Sequence, residues 1–321
     1  MNYKTQVINL DDIVAEEHQY RKFLKVWDLT EIASEFTIME AGSDHKGYGL
    51  FRLFKCLLLQ FMENLSDREL EKFLKENTAG KWFCGFDIVD MTPEHSVFYN
   101  TRKRIGTKRL SDIFNKLKTQ LQSQGLMSET FTFVDATHLI AKANLWEEKD
   151  KAIKLKIDKL NNETLPKVAY DKQAKIGCKG NTKYWYGYKQ HTSVDMQSGL
   201  INKIAITPAN LTDAQGFKHV APNTGAVYAD KGYCKKTCQL VAKIKGIHLA
   251  AIKNNNMIGK NKDLDRWYSA IRAPYERVFS KQNKRVRYVG IAKNQFSAFM
   301  NAICFNLKRL LVISPPDLQH L

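Results

Sequence analysis

Three carboxylates hold most of the chemistry this chain offers. Asp135 closes the run Phe131-Thr132-Phe133-Val134, and Asp230 closes Ala226-Val227-Tyr228-Ala229 ahead of Lys231-Gly232-Tyr233. Glu276 lies in Arg272-Ala273-Pro274-Tyr275-Glu276-Arg277-Val278-Phe279, within a stretch from Lys253 to Lys293 that holds 11 Lys and Arg against three acids. Carboxylates at strand ends of an α/β sheet occupy the place where such folds build their sites. Hard oxygen donors of this kind suit Mg²⁺ or Mn²⁺. Two such ions a few Å apart activate an attacking oxygen and stabilise a leaving one at phosphorus. Each acid also has a purely structural role open to it: a turn cap for Asp135, a helix cap at Gly232-Tyr233 for Asp230, and an ion pair with Arg272 for Glu276.

The elements that must position these acids fall into two halves. Up to about Gly125 the pattern is helical. Leu50, Phe51, Leu53, Phe54, Leu57, Leu58, Phe61 and Met62 recur at helical spacing, and Ser66-Asp67-Arg68-Glu69 has the form of a capping box opening a helix to about Asn77. Thr92-Pro93 reads as an N-cap with Pro at the first helical position. Leu110, Ile113, Phe114, Leu117 and Leu121 mark a further helix that Gly125 stops. After Gly125 the period changes. Strands are expected at Thr130–Asp135, Tyr184–Val194, Leu200–Thr207, Ala226–Asp230 and His248–Ile252, the second and third as a hairpin around Met196-Gln197-Ser198-Gly199. Helices are expected at Tyr233–Lys243 and on the face Phe296, Phe299, Met300, Ile303, Cys304, Leu307, Leu310, Leu311. The order predicts a helical domain over 1–125 and, over 126–321, a mixed α/β sheet flanked by helices.

The charge points to a polyanion. Fifty Lys and Arg against 33 Asp and Glu give a formal +17 and a pI near 9.5, an excess that concentrates nucleic acid or an anionic membrane around the protein. Between Lys142 and Lys189 there are twelve lysines against six acids, read as a DNA-facing Lys-rich insertion at about 142–183. A membrane role has little support: Leu50–Met62 is broken by Arg52, Lys55 and Gln60 and is short of a bilayer span, and Met1–Leu10 shows no secretory signal. The six cysteines are scattered without CxxC pairs, as in a reducing cytosol. Cys234 and Cys238, one helical turn apart, are a weak metal candidate.

The chain resembles the DDE transposases of bacterial insertion sequences, in particular the insertion-sequence-five group of the insertion-sequence-four type. Leu65-Ser66-Asp67-Arg68-Glu69-Leu70 and Thr92-Pro93-Glu94-His95-Ser96 leading to Arg102 are similar to that group's N-terminal domain. Phe133-Val134-Asp135-Ala136-Thr137 resembles its first catalytic strand. Trp185-Tyr186-Gly187-Tyr188-Lys189, Val194-Asp195, Ser198-Gly199 and Thr207-Pro208-Ala209-Asn210 resemble its central hairpin and the loop after it. Ala229-Asp230-Lys231-Gly232-Tyr233 matches the second Asp, Arg272 with Glu276, Arg277 and Phe279 the catalytic Glu, and Asn306-Leu307-Lys308-Arg309-Leu310 the final helix. The related signature's Tyr and Lys fall one place off, at Tyr268 and Lys284.

The resemblance implies a ribonuclease-H-like catalytic domain in which Asp135, Asp230 and Glu276 hold two Mg²⁺ ions, with Mn²⁺ able to substitute. It implies recognition of terminal inverted repeats and of target double-stranded DNA by a homodimer or higher synaptic assembly. Water would attack a phosphodiester at the element's end, and the freed 3′ hydroxyl would then attack target DNA. The candidate DNA contacts are Arg102, Lys103, Arg104, Lys183, Lys189, Lys231, Arg272, Arg277, Lys281 and Lys284. Arg272 and Arg277 have three roles open: positioning phosphates, supporting Glu276, or forming a salt bridge on the helix surface. His191, Asp195 and Asp213 read as supporting or hairpin-fixing residues, and Tyr184, Trp185, Tyr186 and Tyr188 divide between core and base stacking. The expected location is the cytoplasm, at the nucleoid when DNA is bound. Rival assignments are a ribonuclease-H-like nuclease without strand transfer, an inactive DNA-binding regulator, and a basic RNA-binding protein.

Overall fold

The computed structural model describes residues 9–41, 47–141, 157–180, 183–255, 257–280 and 284–313, with the side chains at 164, 168 and 276–280 outside the description. The chain divides into two compact units, one holding the residues through Leu117 together with those from Ile303 onward, the other Lys118–Ala302.

The first unit is helical: α1 (Leu10–Ile13), α2 (Gln19–Val26), α3 (Thr30–Glu40), α4 (Leu50–Met62), α5 (Asp67–Glu76), α6 (Thr78–Cys84) and the start of α7 (His95–Ser123). The run that sets α4 is buried from Leu53 through Met62 except for Lys55, so its apolar spacing translates directly into core. The capping box forms as expected, with Ser66 accepting from Glu69 N and Glu69 accepting from Ser66 N. Thr92-Pro93 does not open the next helix, which begins at His95. Its first amide is taken by the Glu71 carboxylate at 2.9 Å, a cap from α5 that local spacing could not reveal. α7 is interrupted at Gly106, whose φ of 71° and ψ of 164° are non-helical.

The second unit is built on a mixed sheet. Its strands are β1 (Phe131–Ile140), β2 (Lys175–Lys179), β3 (Lys183–Asp195), β4 (Ile201–Pro208), β5 (Ala226–Ala229) and β6 (His248–Ala251). The order is β2-β3-β1-β5-β6, with β4 also on β3. β2 and β4 share one side of β3, pairing with Lys183–Gly187 and Tyr188–Val194 respectively. β1 is antiparallel to β3 and parallel to β5, and β5 is parallel to β6. Two short elements precede β2: a π-helical turn at Leu160–Thr164 and α8 (Leu165–Val168). After β4 come α9 (Asp213–Val220), α10 (Lys236–Lys245), α11 (Lys262–Ser280) and α12 (Ile291–Ile313).

Alternation along the strands splits the core between two faces. Val134, Val227 and Ala229 pack with Phe217 and Val220 of α9 and Cys238 of α10. On the opposite face Phe133 meets Tyr275 of α11 at 6.2 Å, and Tyr228 meets Trp267 and Tyr268 at 6.1 and 5.8 Å. The sheet therefore has helices on both sides. Gly187 permits the tightest crossing, since a Cβ there would lie 2.0 Å from the Leu139 carbonyl.

A further expectation changes. β1 runs on to Ile140, so Asp135 sits mid-strand rather than at its end. Its parallel ladder with β5 stops at Val134 opposite Ala229, however, so Asp135 is the first residue past that pairing. The Lys-rich insertion falls outside the described residues over 142–156. Beyond it the segment contributes β2 to the sheet and buries Asp171, whose carboxylate accepts from the Tyr188 hydroxyl at 2.8 Å. Among the described residues α12, not α4, is the helix long and apolar enough to cross a membrane by composition, and its Phe296, Met300, Ile303, Leu307 and Leu310 are buried within the protein.

Candidate active site

The parallel register of β1 and β5 brings two of the three acids together. Its last paired residues are Val134 and Ala229, so the next residues along the two strands are Asp135 and Asp230. Both apolar runs serve the sheet up to that point, and the carboxylates emerge where the pairing ends. Asp230 then turns the chain: its side chain accepts from Lys231 N at 2.6 Å and caps the 3₁₀ turn Lys231–Tyr233. The capping role open to it from sequence is thus filled, and half of the side chain (54%) stays exposed beside it.

A buried arginine acts on both acids. Arg272, on α11, is only 6% exposed. Its guanidinium lies 5.4 Å over the Phe133 ring and 3.5 Å from Asp230 Oδ1. Burial pushes the Asp135 carboxyl up to about 6, against the Ala136 amide and the charge of Arg272, both of which favour ionisation, and with the Asp213 charge adding to the rise. A carboxylate kept partly desolvated in this way gains from any further positive charge.

Asp213 joins from the other face of the sheet. It is the first residue of α9, which Thr212 and Gln215 cap reciprocally, and it accepts from Lys189 Nζ of β3 at 2.8 Å. Lys189 also lies 5.8 Å from the Trp185 ring. Beneath α9 sits His191, fully buried, with Nε2 2.9 Å from Thr207 Oγ1 and Nδ1 without a hydrogen-bond partner among the described residues. Burial lowers its pKa to about 4, so the ring is neutral at physiological pH. Gly216 makes room for it: a Cβ there would stand 2.1 Å from His191 Cε1.

Two hydroxyls complete the surroundings. Tyr233 is 1% exposed and its hydroxyl has no hydrogen-bond partner among the described residues. Burial first, then the charges of Asp135, Asp213, Cys238 and Asp230, hold it protonated far above its ordinary range. Thr192, fully buried, stands directly across the β1–β3 pairing from Asp135, and its hydroxyl is likewise unpartnered among the described residues. Sequence reasoning missed both. The signal for Thr192 was the hairpin register, and for Tyr233 the shortness of the turn that follows Asp230.

The remaining candidates scatter. The backbone of Glu276 and Arg277 lies on α11, Glu276 one turn beyond Arg272, with side chains outside the described residues; Lys281 lies outside them altogether. Lys183, Lys231 and Lys284 are exposed. In the helical unit Lys103 is exposed and Arg104 is 3.7 Å from Glu40. Arg102 is engaged inside that unit, donating to both oxygens of Asp67 at 2.8 and 2.6 Å. Asp195 fixes the hairpin by accepting from Ser198 N, Ser198 Oγ and Gln197 N. Tyr186 and Tyr188 are core, both bonded to Asp171, while the Trp185 ring meets the His138 ring at 5.5 Å, tilted by 51°. Cys234 and Cys238 face Met257 sulfur and the Ala214 carbonyl, each at 3.6 Å. Among the described residues no three His, Cys, Asp or Glu side chains are grouped to hold a metal ion. The Asp135 and Asp230 oxygens do suit a hard divalent cation, the first being held desolvated.

Residues 8–104 match the family described as Transposase domain (DUF772), and residues 127–307 match that described as Transposase DDE domain. The transposase for insertion sequence element IS1106 of Neisseria meningitidis serogroup B is 31% identical over 216 residues, spanning 62% of this chain and 72% of that protein. A solved structure, a pre-cleavage Mos1 transpososome, aligns over 94% of this chain and 92% of its own with 7% identity and a TM-score of 0.17, a likeness too slight to build on. Two matched domains in the expected order, the second covering most of the sheet-bearing unit, decide the matter together with the 31% relative: the chain belongs to the DDE transposases of insertion sequences.

Proposed function

We propose that this transposase, of the insertion-sequence-five group, binds the terminal inverted repeats of its element and catalyses DNA cleavage and strand transfer. In this reading Asp135, Asp230 and Glu276 hold two Mg²⁺ ions, which Mn²⁺ replaces. The supporting observation is the register that sets Asp135 beside Asp230 where β1 and β5 stop pairing. A ribonuclease-H-like assignment of the domain draws support from three antiparallel strands, β4, β3 and β1, continued by parallel β5 and β6 with helices on both faces.

When bound, the ions supply a Lewis acid for the attacked phosphate and lower the pKa of the attacking oxygen. The chain's own residues prepare the ground. Asp135, desolvated, offers a carboxylate that a cation relieves. Arg272 braces Asp230 and brings a buried guanidinium to the side on which a phosphate must arrive. Tyr233, held protonated, stays neutral near the carboxylates rather than adding a competing anion. The protein acts in the cytoplasm as a homodimer or larger synaptic assembly on inverted-repeat and target DNA.

The direct test is cleavage of an end-containing duplex by wild type and by Asp135→Ala, with Mg²⁺ and with chelator. Cutting that needs Mg²⁺ and disappears in the variant is expected; equal cutting by the variant removes Asp135 from the mechanism. Pre-cleaved ends joined to target DNA by wild type report strand transfer separately from nuclease activity.

A further inference from the structure

Beyond Asp230 the surface opens into a cleft of ≈ 480 Å³ between the 3₁₀ turn, the end of β6 and the start of α11. Lys231, Lys260, Lys262 and Arg266 line it, with Ile252 and Asp265. Four cations thus face one carboxylate, and that carboxylate is engaged from within. Asp265 Oδ1 accepts from Lys253 N at 3.1 Å, and Oδ2 lies 3.6 Å from Lys260 Nζ. Lys260 is further fixed by Asn255 Oδ1 at 2.6 Å. Arg266 has only an exposed partner, Asp263 at 3.7 Å with side chains 84% and 91% exposed, an arrangement worth little. Lys231 and Lys262 have no carboxylate within ion-pair distance among the described residues.

A fold does not hold like charges around a concavity without cost unless an anion offsets them. We propose that this cleft is a binding site for backbone phosphates of DNA, taking the strand that leaves Asp230 over Lys231 and passing it along Lys260, Lys262 and Arg266. Ile252, 5% exposed at the base, offers an apolar contact for deoxyribose. The inference rests on DNA being engaged at Asp135 and Asp230, and it places a second stretch of backbone beyond the reacting phosphate. The contacts position the strand and read no bases.

The test is binding of an end-containing duplex by the full-length protein without divalent metal, so that loss of cutting and loss of this site are read independently. Neutralising a phosphate contact lowers the slope of log affinity against log salt by about 0.9. Lys262→Gln with Arg266→Gln is therefore expected to lower the slope by about 2 with an unchanged melting temperature. A control pair of exposed cations on α10, Lys236→Gln with Lys243→Gln, is expected to leave it unchanged. Single methylphosphonates placed along the end should weaken wild-type binding at positions where they no longer weaken the Lys262/Arg266 variant. An unchanged slope, an equal fall in the control pair, or an identical methylphosphonate profile in variant and wild type would each overturn the proposal.

Discussion

At Asp135 the requirements of function and of folding oppose one another. A free aspartate titrates near 3.9, whereas burial raises this one to about 6 in the folded chain. Between those values the folded state holds the proton and the unfolded state does not, so the carboxyl costs nothing at low pH. Above about 6 the folded state must carry the charge, and stability without metal is lowered in full. Asp135→Asn should therefore raise the melting temperature of the metal-free protein at pH 7 to 8, by an amount that shrinks as pH falls through 6 toward 4, while abolishing cleavage. Thermal melts across that range check both sign and window, and a variant less stable than wild type at pH 8 would count against the desolvated carboxylate. Arg102 illustrates the opposite case, a cation whose composition suggested DNA and whose surroundings give it another task. Its two bonds to Asp67 are charge-assisted and largely shielded, so Arg102→Ala should cost about 1.5–3 kcal/mol of stability and leave the salt slope of DNA binding alone. Exposed Lys103→Ala is expected to do the reverse, lowering the salt slope with stability unchanged; denaturant titration beside salt titration separates the two effects.

At the scale of elements, much was legible where local pattern decides structure. The α4 periodicity, the Ser66–Glu69 capping box and the hairpin turn held by Asp195 depend on residues within a few positions of one another. The ends of β5 and β6 were legible for the same reason, and with them the place of Asp230. What stayed hidden depends on docking between distant segments. The cap of α7 comes from Glu71, 24 residues away. The Lys189–Asp213 pair joins β3 to α9 across another 24. β2 is five residues of mixed character whose strand identity comes from its pairing with β3. Helix α9 lies so close to the sheet that only glycine fits over His191. Gly216→Ala should consequently force either the ring or the helix to move, at about 1–3 kcal/mol. The companion His191→Ala, which empties that space, should suppress part of the loss; additive costs in a double-mutant cycle would show that the two do not share one contact.

On the scale of the whole molecule, charge and topology carry different information. The +17 excess named a polyanion but not a reaction. The parallel step between β1 and β5 lies where the antiparallel strands meet the parallel pair β5 and β6, and it makes backbone neighbours of two acids 95 residues apart in number. Spacing in the sequence could nominate Asp135 and Asp230 as strand-end acids but not make them neighbours, because neighbourhood comes from the parallel register. For Glu276 the sequence resemblance remains the basis of its assignment, with α11 carrying it one turn past the arginine that braces Asp230. The account therefore turns on whether three carboxylates converge on bound cations, and anomalous diffraction from the protein with its end DNA in Mn²⁺ measures this directly. It predicts two peaks roughly 3.5–4 Å apart, ligated by Asp135, Asp230 and Glu276. Manganese bound elsewhere, with Asp135 or Asp230 out of coordination reach in that DNA-engaged state, would contradict it.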